Sequence, residues 1–243
     1  MNKQLQISNI RNVLIRLEET ILFALIERVQ FRRNPVIYAP GAFADLDETE
    51  SLVGYLLHET ERIHARMRRY TSPDEYPFFD DLPEPVLPEL RYDDNPLHAH
   101  PVNLNRNVWA SYTEDAIPLI CAPDDDHQYG SCAVADVTCL QAISKRIHYG
   151  MFVAEGKYRK NATQFDQLVK AKDAGSIAEA ITDAPVEQQV LERVRRKAEL
   201  YLQELNASTD EYHIEPEVIV KLYRTWIIPA TKEVEVQYLL KRG

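Results

Sequence analysis

Long stretches of helical periodicity constrain the fold of this chain more than any other feature of its sequence. From Ile7 to Val29, apolar residues recur every three or four positions over about six turns, without Pro or Gly. A second stretch extends roughly from Glu50 to Tyr70, and its apolar stripe consists of Leu52, Leu56, Ile63, Met67 and Tyr70. Both patterns predict amphipathic helices that bury one face.

Helical spacing returns over most of the remaining chain. It predicts helices over 104–120, 132–158, 163–172, 174–182 and 185–205. The final segment is ambiguous, because Val234, Val236 and Tyr238 alternate as in a strand. We interpret it as helical, since no other clear strand exists to pair with it.

The segment 72–101 interrupts the helical pattern. It contains seven of the 14 prolines, and proline removes a backbone donor and is excluded from helix interiors. We predict an irregular crossing segment whose apolar residues pack on the core. Together these patterns predict an all-α, multi-helix bundle that forms a single domain over 1–243.

Composition and charge exclude several classes of function. The 243 residues include only 7 Gly, which form neither GxGxxG nor a phosphate-binding loop, so nucleotide binding is not expected. A net charge of −10 without a basic tail argues against a nucleic-acid partner. No apolar run reaches the length of about 18 residues that a membrane helix needs, so no membrane span is expected.

The cysteines and the N-terminus bear on the location of the protein. Cys121, Cys132 and Cys139 are odd in number and lack CxxC spacing, which is typical of reduced thiols and favours a cytoplasmic protein. The first ten residues contain no apolar signal core. A signal or transit peptide removed before this sequence begins stays an open alternative.

The sequence offers no metal site and no nucleophile. His58-Glu59 begins like a zinc motif, but His64 follows six residues after His58, a rotation of about 240° on a helix, against about 40° in HExxH. GxSxG is absent, and the cysteines have no convincing neighbouring base. We therefore expect neither a metal nor a cofactor.

A few polar residues have matched helical spacing. Arg146 and Lys157 are eleven residues apart on the predicted central helix, which places them on one face at a separation of about 16 Å. Thr231 and Glu235, four apart, also share a face of a helix. Arg11 lies beside the apolar stripe of the first helix. On spacing alone, each is more typical of a solvated helix surface.

Four motifs in their order along the chain add weight to these residues. They are NIR at 9–11, SPDEYPFF at 72–79, SKRIHYGMFVAEGK at 144–157 and TKEVEVQYLL at 231–240. The chain resembles the eukaryotic, all-helical chorismate mutases in these motifs, and its proline-rich stretch is closest to the plant members. The resemblance extends from about residue 7 to residue 242.

This resemblance implies an isomerase that converts chorismate into prephenate, in the biosynthesis of phenylalanine and tyrosine. The reaction is an intramolecular Claisen rearrangement. It needs orientation of the enolpyruvyl arm and stabilisation of negative charge on the ether oxygen, which explains the lack of a nucleophile. The residues that match the catalytic positions of the family are Arg11, Arg146, Lys157, Glu187, Thr231 and Glu235.

The roles of these residues also follow from the resemblance. Arg11 and Arg146 would hold the two substrate carboxylates, with Thr231 assisting at one of them. Glu187 would accept a hydrogen bond from the ring hydroxyl. Lys157 would donate to the ether oxygen, and so would Glu235, which requires Glu235 to be protonated.

Regulation and assembly are implied in the same way. Members of the family often form homodimers that bind tyrosine as inhibitor and tryptophan as activator at the dimer interface. The matching positions are Arg68, Arg69, Gln128, Gly130 and Ser131. Gln128 stands in place of the usual Asn, and Val134 in place of a hydroxyl residue, so we expect weakened effector binding.

Two further departures leave alternatives open. Asp183 stands where the fungal enzymes have Asn, and Gly156 where Ala is usual. Asp183 would weaken the binding of a dianion unless it faces away or caps a helix. One alternative is a catalytically silent helical binding module of the same fold, and another is a secreted mutase that acts on a host's chorismate. The complete set of matching polar residues favours the enzyme.

Overall fold

The computed structural model describes residues 7–89, 97, 101–206 and 214–242. All regular structure within these ranges is helical, which confirms the all-α prediction. The α-helices are α1 (Ile7–Arg28), α2 (Leu52–Arg66), α3 (Asn105–Ser111), α4 (Ile117–Ile120), α5 (Tyr129–His148), α6 (Gly150–Lys160), α7 (Ala162–Ala171), α8 (Ala174–Ile181), α9 (Ala184–Asn206), α10 (Pro216–Leu222) and α11 (Ile228–Leu240). Short 3-10 turns cover Pro35–Tyr38 and Arg69–Thr71, and π-helical turns cover Tyr112–Ala116 and Tyr223–Ile227.

Helix α1 follows its predicted bounds and ends at a buried arginine. The Arg28 guanidinium donates to the carbonyls of Phe31 and Arg32 at 3.1 Å, and its Nε lies 2.6 Å from Asp136 Oδ1 on α5. These carbonyls follow the helix and need partners inside the protein. The arrangement fastens the end of α1 to α5.

Helix α2 differs from its prediction in both its end and its face. It ends at Arg66, and the chain then takes a left-handed conformation at Arg68, with φ 65°. Ile63 and Met67, assigned to the apolar stripe, are 62% and 50% exposed. The buried face consists of Val53, Leu57, Glu61 and Ala65. The helix is rotated because it carries the Glu61 carboxylate inward.

Glu61 anchors the proline-rich segment. Its carboxylate accepts hydrogen bonds from the amides of Phe78, at 2.9 and 3.0 Å, and of Phe79, at 3.2 Å. Burial raises the pKa of Glu61 to about 7. Tyr76 and both phenylalanines pack on the core as predicted, whereas Leu87 is 40% exposed. Residues 90–96 and 98–100 of the predicted segment lie outside the described residues.

The central helix begins at Tyr129 and divides at Tyr149 into α5 and α6, so the prediction of one uninterrupted helix over 132–158 is wrong. His148 is fully buried just before the division. Its Nε2 accepts from the Leu104 amide at 2.9 Å, which leaves Nδ1–H to donate to the Ser144 carbonyl at 2.8 Å. Burial lowers the pKa of His148 to about 4.

Two π-helical turns share a local sequence pattern. Each begins at a fully buried tyrosine, Tyr112 or Tyr223, and is followed by an Ile-Pro pair. A proline ring clashes with the carbonyl four residues earlier in a regular α-helix, and a wider turn relieves that clash. Helix therefore continues from α3 into α4 and from α10 into α11, which confirms the helical interpretation of the final segment.

Helix packing brings the polar motifs to one region. α1 packs along α5, α9 lies against α1 and α10, and α11 lies against α6 and α8. The predicted short helices α7, α8 and α9 are confirmed within one or two residues. None of the helices in the described ranges combines the length and the apolar character that a bilayer span requires.

Candidate active site

An ion pair joins α6 to α11. Lys157 Nζ lies 2.7 Å from Glu235 Oε2 and also donates to the carbonyl of Ile181, at the end of α8, at 2.6 Å. The side chain of Glu235 is 5% exposed and that of Lys157 is 29% exposed. The ammonium group is therefore held by fixed oxygens from two helices while one side of it faces the solvent.

The environment of Glu235 favours its protonated form. Burial raises the pKa of Glu235, and the positive charges of Lys157, Arg146 and Lys232 oppose the rise without cancelling it. A carboxyl group in such a position binds a proton more readily than one in water, and in its neutral form it donates a hydrogen bond.

Arg146 of α5 faces Thr231 of α11. The guanidinium is 4% exposed, and its Nη1 donates to Thr231 Oγ1 at 3.2 Å. The Thr231 hydroxyl donates in turn to the carbonyl of Ile227 at 2.7 Å. Arg146 Nε is buried and has no hydrogen-bond partner among the described residues. Because a buried unpaired donor is costly, this group is poised to bind an anion.

Glu187 lies in the first turn of α9 and pairs with a residue that the sequence analysis missed. Its Oε1 is 2.9 Å from Lys232 Nζ, and both side chains are about one-third exposed. Lys232 directly follows Thr231 in the matching motif, so its position was the only available signal. The pair connects the start of α9 to the start of α11.

Arg11 lies on the open side of the same region. It is exposed, and its Nη2 makes one long hydrogen bond of 3.4 Å to Gln189 of α9. Seven residues later, the buried Glu18 receives two hydrogen bonds from Arg193, at 2.8 and 2.9 Å. The body of α1 is thus fixed to α9, while the Arg11 side chain itself stays loosely held.

Asp183 acts as a helix cap. Its Oδ1 accepts from the Val186 amide at 3.2 Å, at the N-terminus of α9. The capping hydrogen bond and the helix dipole both stabilise a carboxylate there. This departure from the fungal pattern therefore has a local structural role, one of the two possibilities foreseen from the sequence.

The site is positively charged in an otherwise acidic chain. Four cations, Arg11, Arg146, Lys157 and Lys232, accompany two carboxyl groups, Glu187 and Glu235. The site carries two net positive charges, or three when Glu235 is protonated, against −10 for the chain. Such a site suits a substrate with two carboxylates. In the described ranges, no group of three or more His, Cys, Asp or Glu side chains is arranged to hold a metal.

Comparisons with known proteins agree with this geometry. The family model described as chorismate mutase type II matches residues 128–236. A chorismate mutase from Emericella nidulans is 47% identical over 251 residues, which cover 99% of this chain and 94% of the relative. The chain belongs to the chorismate mutase family. It is an isomerase of the eukaryotic, all-helical type, as its motifs predicted.

Solved chorismate mutases share the whole fold. The crystal structure of AtCM1 with tyrosine bound in its allosteric site has a TM-score of 0.90, is 43% identical and covers 99% of this chain and 98% of its own. A Candida albicans chorismate mutase in complex with L-Trp has a TM-score of 0.87 and 39% identity, covering 98% and 92%. Both relatives bind aromatic amino acids.

The predicted effector residues of this mutase fall into two separate groups. Arg69 contacts Glu75 at 3.1 Å and Gln141 of α5 at 2.9 Å, and Arg68 donates to the Pro88 carbonyl. The other group lies around the start of α5 and is exposed, namely Gln128, Gly130 and Ser131. Gln141 follows Gly130 by eleven residues, so the groups are about 16 Å apart along α5.

Proposed function

We propose that Arg11 and Arg146 bind the two carboxylates of chorismate. The unpaired Nε of Arg146, buried beside the Thr231 hydroxyl, is the observation that supports this role for Arg146. A planar guanidinium binds a carboxylate through two parallel hydrogen bonds, and both carboxylates must be fixed to hold the enolpyruvyl arm over the ring. Arg11, at the exposed edge, takes the second carboxylate.

The Lys157–Glu235 pair acts on the ether oxygen. As the C–O bond breaks, negative charge grows on this oxygen, and Lys157 and protonated Glu235 donate hydrogen bonds to it from two sides. The pair carries the proposal, because a 2.7 Å contact at a buried carboxyl supplies both a fixed cation and a proton donor. Glu187 accepts from the ring hydroxyl, and Thr231 supports the Arg146 guanidinium.

Turnover of chorismate, with prephenate identified as product, tests this proposal across pH. Activity should fall as pH rises through the folded pKa of Glu235, because ionised Glu235 repels the developing oxyanion. Glu235→Gln keeps a donor at every pH and should lack this decline. A variant that retains the decline contradicts the role given to Glu235.

A catalytically silent protein of the same fold is the second candidate. Its motivation was Asp183, and the capping role of that carboxylate removes the motivation. Well-folded protein that binds chorismate without turnover would favour it.

We further propose a homodimer with a shared effector site for tyrosine and tryptophan. The two groups of predicted effector residues are about 16 Å apart in one chain, so a second copy must supply one of them. Neighbouring helices α2 and α5 also expose apolar side chains that a partner could cover, namely Ile63, Met67 and Val134.

Sedimentation and effector titration test this assembly together. We expect a dimer whose turnover responds to tyrosine and to tryptophan, and Arg68→Ala should weaken both responses. A monomer at micromolar concentration, or a dimer that ignores both amino acids, contradicts the shared site.

A reducing compartment such as the cytoplasm is the proposed location. Cys121, Cys132 and Cys139 are free and buried, and burial raises the pKa of each thiol. Such thiols are typical of proteins that never form disulfides. Localisation of the tagged full-length protein tests this, and a secreted or organellar protein would contradict it.

A further inference from the structure

We propose that Gly150 is a positioning residue of the active site, a role that rests on the function proposed above. Gly150 is the first residue of α6, four positions after Arg146 and seven before Lys157. Rotations of about 40° and about 20° place all three on one face of the helical segment. Gly150 therefore lies between the two cations, on the face that meets α11.

The opposite helix approaches Gly150 too closely for any side chain. A Cβ at this position would lie 2.9 Å from the Thr231 carbonyl oxygen and 3.1 Å from Thr231 Cγ2. It would also lie 3.5 Å from Glu235 Cγ. The nearest atom belongs to the backbone, so a flexible side chain cannot simply swing aside. The absence of a side chain at Gly150 thus sets the separation between α6 and α11.

That separation determines two contacts of the site. Thr231 receives the Arg146 hydrogen bond of 3.2 Å, and Glu235 makes the 2.7 Å contact with Lys157. Both acceptors lie on α11, directly over Gly150. A shift of α11 by a few tenths of an ångström would lengthen both contacts together and admit water beside Glu235.

Gly150→Ala tests the proposal because it improves helix propensity while it blocks the close approach. We expect kcat to fall by at least about tenfold, as small displacements of catalytic groups do. The pH at which activity declines should also move down, because water beside Glu235 stabilises its ionised form and lowers its pKa. A merely structural role would not move the pH profile.

Gly175→Ala is the matched control. Gly175 lies in the first turn of α8, is exposed, and its added Cβ would come no closer than 3.5 Å to Asp173 Oδ1. Its kcat and pH profile should equal those of the wild type. A control that reproduces the Gly150→Ala effect would overturn the proposal.

A second variant relieves the clash. Thr231→Ser removes the Cγ2 methyl and keeps the hydroxyl that receives the Arg146 hydrogen bond. Gly150→Ala with Thr231→Ser should therefore be several-fold more active than Gly150→Ala alone, relative to the matching backgrounds. If Gly150→Ala does not fold, the double variant should still fold and show the shifted pH profile.

The outcomes separate this inference from the proposed function. Wild-type kcat and pH profile in folded Gly150→Ala would overturn the positioning role. Failure of both Gly150 variants to fold, with Gly175→Ala intact, would also overturn it in favour of a role in stability alone. Wild-type protein without turnover would instead overturn the function on which the inference rests.

Discussion

The two sides of the active site differ in how firmly the protein holds their polar groups. On the inner side, formed by α5, α6 and α11, Arg146, Thr231 and Glu235 are at most 6% exposed and are linked to fixed partners. On the outer side, formed by α1 and the start of α9, Arg11 is exposed and has one long contact. The inner side is organised before the substrate arrives, whereas the outer side must be ordered by it.

This difference separates the two tasks of the enzyme. Groups that stabilise the transition state act best when they need no reorganisation during the reaction. Groups that capture the substrate must be reachable from the solvent. Substitutions on the inner side should therefore lower kcat, and those on the outer side should mainly raise KM.

Lys157→Ala should give the largest effect. It removes a fixed donor to the ether oxygen, and we expect kcat to fall by about 10²- to 10³-fold with a smaller change in KM. Steady-state kinetics measures both constants. Lys160→Ala, on an exposed position of the same helix, is the control and should behave as the wild type. A Lys157 variant that changes only KM would break the distinction between the two sides.

His148 should affect the stability of the inner side in acid. Its folded pKa of about 4 lies below the ordinary 6.5, because the buried ring stays neutral. The stability that this provides is present above pH 6.5 and is lost as pH falls from about 6.5 to about 4, up to about 3 kcal/mol in all.

Urea denaturation between pH 4 and 7 measures this loss. His148→Gln cannot be protonated yet can still accept from the Leu104 amide, so its free energy of unfolding should depend less on pH over this range. An unchanged pH dependence would show that other groups govern acid unfolding.

Arg11→Ala should have a smaller and different effect. We expect KM to rise by about tenfold and kcat to change less, because one charged hydrogen-bonding partner of a carboxylate is lost at an exposed position. Salt screens exposed charges, so the wild-type KM should rise with ionic strength more steeply than that of Arg11→Ala. Equal salt dependence in the two proteins would argue against a direct role for Arg11.

Lys232→Met should have the smallest effect. The Lys232–Glu187 pair is about one-third exposed, and exposed pairs contribute little. We expect a change in KM of less than about fivefold. Kinetics with Glu187→Gln in parallel checks the assignment, since that variant should lose more. A large loss of kcat in Lys232→Met would move Lys232 to the catalytic group.

The sequence predicted the fold and the inner side well for a physical reason. Helical spacing alone placed Arg146 and Lys157 on one face, and their separation by eleven residues tolerates the division at Tyr149. Contacts between helices were not predictable from spacing. The Glu187–Lys232 pair and the close approach at Gly150 depend on how α9 and α11 pack, which only the structure gives.

The errors on α2 have the same origin. A stripe ending at Ile63 and Met67 is a sound amphipathic pattern for a helix considered alone. The helix instead buries Glu61, whose carboxylate binds two amides of the proline-rich segment. Periodicity ranks residues by apolar character and therefore cannot foresee a buried carboxylate that is fixed by remote backbone donors.

The π-helical turn at Tyr223–Ile227 has a consequence for the phase of the final helix. Such a turn accommodates one more residue than an α-helical turn and shifts every later side chain by about 100° around the axis. Thr231 and Glu235 both follow it. Deleting one residue from this turn would leave α11 helical and apolar enough to pack, but would rotate both side chains out of the site. The angular placement of the proton donor is thus encoded one helix upstream, in the spacing between a buried tyrosine and a proline.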